Sequence, residues 1–122
     1  MIVIEPMIEA TALNRDHKPE LKDEAERILK RGGRIDSFRD YYNNGEPIGP
    51  QRVWLMNEEI PGLAMSRSMG DKVAHSVGVT AEPDTLEFTL TLNDKFLVIA
   101  SDGVWEFLSN DDVANIVFPF YE

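Results

Sequence analysis

The chain contains no cysteine. A disulfide framework, a thiolate zinc site and a thiol nucleophile are therefore excluded. Histidine is nearly absent, with His17 and His75 far apart and in no ligand-like spacing. No apolar run approaches the ~20 residues needed to span a bilayer. The N-terminal MIVIEPMIEA lacks a basic region and carries acids early, so it does not read as a signal peptide. A cytoplasmic or nuclear setting is the default expectation, with no membrane partner. Basic residues are scarce: 12 Lys and Arg stand against 22 Asp and Glu, for a net charge of -10. A nucleic-acid partner is disfavoured, because backbone binding needs a basic footprint. The sequence also lacks a Walker-type loop, a nucleophile elbow and a dinucleotide fingerprint.

What remains is an ordinary globular composition. The chain has 122 residues, 43% of them apolar and 28% charged, which predicts one domain. The charge is uneven: residues 73–122 hold only Lys95 against nine acids. That half is either a solvated acidic surface, a cation site, or a face that meets a more basic segment.

Residues 2–14 mix short apolar stretches with Glu5, Pro6 and Glu9, consistent with one or two short strands. From Leu21 to Arg31 the apolar positions Leu21, Ala25, Ile28 and Leu29 follow helical spacing. Lys30 and Arg31 suit the negative end of the helix dipole, and Gly32-Gly33 is a stop signal. Residues 34–62 are rich in turn formers and read as mostly loop, with Arg52–Met56 as a short strand. Such a long irregular stretch is usually a functional flap or is mobile. Farther on, Leu86, Phe88, Leu90 and Leu92 alternate with Thr85, Glu87, Thr89 and Thr91, a period-2 strand with one buried face. Asn93-Asp94 predicts a turn. Phe96–Ala100 is a continuous apolar run, as expected of a central strand covered on both faces and paired with the preceding one. Ser109 and Asp112 resemble a capping box, and Val113, Ile116 and Val117 form a helical stripe that Pro119 ends or kinks.

The best local candidate for chemistry is Ser101-Asp102-Gly103, after the apolar run. A carboxylate at the end of a rigid element has a defined position, and Gly103 permits a sharp turn and close approach of a ligand. Such an Asp suits a hard cation. Strand-Asp-Gly is also an everyday turn. Glu106 lies four residues on, so a helical turn would place both carboxylates on one side. Asp71 after Gly70 either bonds backbone amides of a turn or sits near a cation, the former being favoured. Trp54 and Trp105 read as packing anchors.

Five blocks then follow one another in a familiar order: LNRDHKP (13–19), EAERILKRGGRI (24–35), RVWLMNEEIPGLAMSRSMGD (52–71), GVTAEPD (78–84) and FLVIASDGVWEFLSNDDVANIV (96–117). Together they resemble the metal-dependent Ser/Thr protein phosphatases of type 2C. The resemblance implies an α+β fold, part of an α-β-β-α sandwich with antiparallel sheets, incomplete here. Residues 1–122 would form the C-terminal part of the catalytic domain, with 34–60 as the flap beside the active site. It implies hydrolysis of phosphoserine and phosphothreonine in a phosphoprotein substrate, assisted by Mg²⁺ or Mn²⁺. Asp102 matches a core metal ligand. Glu106 stands where the family usually has Asp for a weaker third metal, and its side chain is one methylene longer. Ser66-Arg67 and Gly70-Asp71 match a block near the site that is more structural than metal-binding. The acid pair, Asp-Gly-His-Gly-Gly block and phosphate-binding Arg of the family's N-terminal half are not found. The closing Asp-rich strand is also not found. Mg²⁺ or Mn²⁺ binding is therefore expected to be weak or absent, because Mg²⁺ surrenders its waters reluctantly. Little activity is expected of this chain alone. The missing N-terminal half is an implied partner, and exposed strand edges invite self-association. The rival expectation is a non-catalytic interaction or regulatory module derived from the same domain.

Overall fold

A computed structural model describes residues 7–121. Residues 1–6 and 122, with part of the expected N-terminal strands, lie outside the described residues; residues 7–14 form no regular element. The chain divides into two compact units, one of residues 16–84 and one drawn from residues 85–122 and the N-terminal stretch.

The first unit opens with helix α1, Lys22–Lys30. Asp23 and Glu24 lie in its first turn, while Arg27 and Lys30 lie in its last, each favourable to the dipole. The helix ends where the sequence places its stop, and Gly32 adopts φ +82°, a conformation costly for other residues. The buried face is rotated from the expected stripe. Glu24 and Ile28 are fully buried, whereas Leu29 is 56% exposed. A carboxylate thus occupies a core-facing position, for a reason given below.

Residues 34–62 are not mostly loop. They form a three-stranded antiparallel sheet of β1 (Gly33–Asp40), β2 (Glu46–Leu55) and β3 (Pro61–Leu63), in that order. The turn formers punctuate strands rather than replace them. Asn44 and Gly45 take positive φ at the β1–β2 hairpin, and Gly45 N–H closes onto the Asp40 carbonyl at 2.8 Å. Gly49-Pro50 falls where the register jumps, between the Asp36–Arg52 and Phe38–Ile48 pairs. Proline is tolerated there because a bulge needs no ladder donor. The expected short strand is the end of β2, where Val53 pairs with Ile35 on one side and Leu63 on the other.

Trp54 is 2% exposed and anchors this sheet. Its indole N–H donates to the Asp36 carbonyl at 2.9 Å, and Phe38 meets its ring edge-on with centroids 5.1 Å apart. Ile28, Val53, Ala74, Val77 and Val79 make the core, with Ile35, Leu55 and Leu63 packed against it. Helix α2, Lys72–Ser76, contributes Ala74, and the sheet and α1 supply most of the rest.

The second unit carries a correction. Neither 85–92 nor 96–100 forms a strand, and no described strand pairs with them. Leu90 is 74% exposed and Ile99 86%. Alternation specifies a face but supplies no hydrogen-bonding neighbour, and an isolated hairpin is marginal in water. The local turn does form, because its bonds need no partner strand: Asp94 N–H reaches the Thr91 carbonyl at 3.1 Å, and Thr91 N–H reaches the Asp94 carboxylate at 2.7 Å. Helix α3 spans Asp102–Trp105 and α4 spans Asn110–Val117. The capping box at α4 is complete, with Ser109 Oγ accepting from Asp112 N–H and Asp112 accepting from Ser109 N–H. That hydroxyl and amide also hold the Asp112 carboxyl below its usual range. Pro119 lies within a 3₁₀ turn, Phe118–Phe120, just beyond α4.

Candidate functional site

Asp102 is the first residue of α3, with Ser101 as its N-cap. Val104 N–H reaches the Ser101 carbonyl at 3.0 Å, and Glu106 N–H reaches the Asp102 carbonyl at 2.9 Å. Trp105 is half-buried and donates its indole N–H to the Ala100 carbonyl at 2.9 Å, tying the helix back onto the preceding segment. Asp102 and Glu106 are therefore one helical turn apart, as the sequence implied, and both are exposed. Gly103 is a correction to the sharp-turn reading. It lies inside α3 without a positive φ, and a Cβ there would meet only Ser101 Oγ, at an ordinary 3.5 Å. Its backbone geometry does not require glycine.

Two exposed carboxylates are a thin donor set for Mg²⁺ or Mn²⁺, which ordinarily use several oxygen ligands in octahedral array. Among the described residues no three His, Asp or Glu side chains group as metal ligands. These residues do not by themselves fit the metal centre that the resemblance implies.

The better-built electrostatic feature is Glu24, whose side chain is fully buried. Arg27 meets it fork to fork, Nη1 to Oε1 and Nη2 to Oε2, both at 2.7 Å. Arg67 adds a second fork, with Nη2 to Oε1 at 2.7 Å and Nε to Oε2 at 3.1 Å. Ser66 Oγ donates to Oε2 as well. Arg27 also donates to the carbonyls of Gly78 and Ser66, at 2.7 and 2.9 Å. Arg67 reaches the Glu82 carbonyl at 2.8 Å and the Asp84 carboxylate at 2.9 Å, and Asp84 in turn pairs with His17 at 2.9 Å. The hydrogen bond from Arg27, then those from Arg67 and Ser66, hold the Glu24 carboxyl far below the usual range against the opposing pull of burial. Glu24 also raises the Arg67 guanidinium. The network ties α1 to residues 66–67, 78 and 82–84. It is structural chemistry: every strong acceptor is already engaged by a donor of the chain.

Sequence reasoning missed Glu24. A signal existed: it precedes the core residue Ile28 by four positions, on the same helix face, and a buried carboxylate demands a cationic partner. Arg67, 43 residues later, carries no such signal. The other polar candidates behave as structural groups. Asp71 caps α2 by accepting from Ala74 N–H at 3.0 Å, and His75 Nε2 donates to the Ser68 carbonyl at 2.8 Å.

The model of the protein phosphatase 2C family matches residues 1–120. The chain belongs to that family. Among its relatives, "Probable protein phosphatase 2C 61" of Arabidopsis thaliana is 48% identical over 105 residues, covering 86% of this chain and 30% of the relative. "Probable protein phosphatase 2C 72" of the same plant is 44% identical over 111 residues, 91% of this chain and 32% of the relative. "Probable protein phosphatase 2C 12" of Oryza sativa subsp. japonica is 44% identical over 110 residues, 90% of this chain and 27% of the relative. The chain thus spans about a third of the length of these relatives. No solved structure matches it. The helices and three-stranded antiparallel sheet are an incomplete α+β fold of the 2C phosphatase kind.

Proposed function

We propose that residues 1–122 are the C-terminal part of a metal-dependent phosphoserine and phosphothreonine phosphatase domain. The family match along residues 1–120 carries this reading. In it, the exposed carboxylate of Asp102 at the start of α3 is a ligand for Mg²⁺ or Mn²⁺, with Gly103 and Glu106 beside it. The β1–β2 hairpin, within residues 34–60, is the flap that governs access of the phosphoprotein substrate. The chain alone is catalytically incomplete, because its own donors are too few to hold the cation. Its setting is cytoplasmic or nuclear.

The deciding assay is hydrolysis of a phosphothreonine peptide with Mn²⁺, with and without chelator. The 122-residue chain is expected to show no chelator-sensitive turnover. A full-length relative carrying the matched blocks is expected to show it, and to lose it on Asp-to-Ala substitution at the position aligned with Asp102. Chelator-sensitive turnover by the short chain, abolished by Asp102→Ala, would overturn the incompleteness. Full activity in the substituted relative would remove Asp102 from the metal site.

A second reading is a non-catalytic interaction module. The thin donor set around Asp102 and Glu106 favours it. Its mark would be a native protein of about this chain's mass, 13.8 kDa, in source tissue.

A further inference from the structure

The unit of residues 16–84 has a surface recess of about 430 Å³ at the C-terminal end of α1. Arg27, Lys30 and Arg31 line one side, and His75, Val79 and Thr80 line the other. No acidic side chain lines it, although acids outnumber Lys and Arg by 22 to 12 in this chain. Two of its three positive charges are not spent on the protein itself. Arg27 is neutralised by Glu24 and forms a fixed wall. Lys30 and Arg31 are exposed, and among the described residues neither has an ion pair.

The end of a helix attracts cations, so these two could merely serve the carbonyls of α1. Three of those carbonyls are already served by the backbone. Arg31 N–H donates to the carbonyls of Arg27 and Ile28, and Gly32 N–H donates to that of Leu29. The carbonyl of Gly78, another lining residue, takes Arg27 Nε at 2.7 Å. Gly78 has φ +95°, and a Cβ there would lie 2.9 Å from the Arg27 carbonyl and 3.1 Å from Arg31 Cβ. Bare backbone therefore brings the two walls together, which sets the spacing of the donors. Thr80 Oγ1 accepts from Glu82 N–H at 3.2 Å, so its hydroxyl proton is available to donate. His75 spends its Nε2 proton on the Ser68 carbonyl, which leaves Nδ1 as its remaining polar atom.

We propose that this recess binds a phosphoryl group. Lys30 supplies a point charge, Arg31 a planar fork, and Thr80 a neutral donor. A tetrahedral dianion has enough oxygens to engage all three, whereas a single carboxylate has two. The group is either inorganic phosphate or a phosphorylated side chain of another protein, and the same recess chemistry serves both. The reading stands on this unit alone and does not depend on phosphatase activity.

The test is a titration of the 122-residue chain at low salt with three probes: inorganic phosphate, a phosphothreonine peptide and its unphosphorylated twin. Binding is read from amide shifts and calorimetry. Shifts are expected at Lys30–Gly33 and Ser76–Thr80, with the unphosphorylated peptide silent. Response to both phosphorylated probes identifies the phosphoryl group itself as the ligand; response to the peptide alone identifies a phosphorylated protein. Affinity is expected to fall about tenfold in Lys30→Gln and further in Lys30→Gln/Arg31→Gln, with Arg31→Lys, which keeps the charge but loses the fork, falling between the parent and the double variant, and to weaken with added salt. Both side chains are exposed, so the variants should melt as the parent does. Silence at these amides, or unchanged affinity in the double variant, overturns the proposal.

Discussion

Arg67 grips Glu24 through two hydrogen bonds, 2.7 and 3.1 Å long, across 43 residues of sequence. The pair joins the first helix to the segment that follows the sheet, and it is buried on the Glu24 side. Removing one partner of such a pair leaves the other charge without compensation. Glu24→Gln is therefore expected to destabilise residues 16–84 by about 3 kcal/mol, since two guanidinium groups lose their anion. Urea unfolding followed by Trp54 fluorescence measures it; a change under about 0.5 kcal/mol, the range of ordinary surface substitutions, would refute a stabilising network.

The same carboxylate makes the fold acid-sensitive. Arg27 first, with Arg67 and Ser66, depresses the folded-state Glu24 below its ordinary 4.5. The unfolded chain then takes up a proton before the folded chain does. The stabilisation is full above about 4.5 and is lost progressively as pH falls toward the folded-state value. Urea midpoints at pH 5 and pH 3 are expected to differ clearly in the parent and far less in Glu24→Gln. Equal losses in both would assign the acid sensitivity elsewhere.

Gly62 has φ +67°, and a Cβ there would lie 2.9 Å from the Trp54 ring. Gly62→Ala combines backbone strain with overpacking against a core indole, at a cost of about 2 kcal/mol. A shifted Trp54 emission should accompany the lowered melting temperature. Gly49→Ala shares the positive φ but meets nothing within 4 Å, so it isolates the backbone part.

At α4, Ser109→Ala removes the hydroxyl that accepts from Asp112 N–H at 3.1 Å. About 1 kcal/mol of local helix stability should go with it. Faster amide exchange over residues 110–117, with 22–30 unchanged, is the expected signature.

The apolar side chains of 85–100 are expected to drive association of the isolated chain, since Leu92 is 94% exposed and Ile99 86%. Sizing over a range of concentrations should show it, and Leu97→Lys/Ile99→Lys should reduce it. A parent that stays monomeric at high concentration would count against exposed strand-like segments as the cause.

Features legible in the sequence were the ones whose causes are local. Helix α1 and its glycine stop, the Asp71 cap, the Ser109–Asp112 capping box and the turn before Lys95 all rest on bonds between residues a few positions apart. The five ordered blocks likewise sufficed to place the chain among the 2C phosphatases, and Asp102 to mark a candidate ligand. Tertiary structure decided everything that needs a distant partner. Residues 34–62 became strands because β1, β2 and β3 found one another, while 85–100, better patterned, found no described partner strand and formed none. Glu24 faces inward only because Arg67 meets it there, and Lys30 and Arg31 line a recess only because Gly78 lets another segment approach. Periodicity states which face a residue prefers; which residue waits on the other side is decided by the fold.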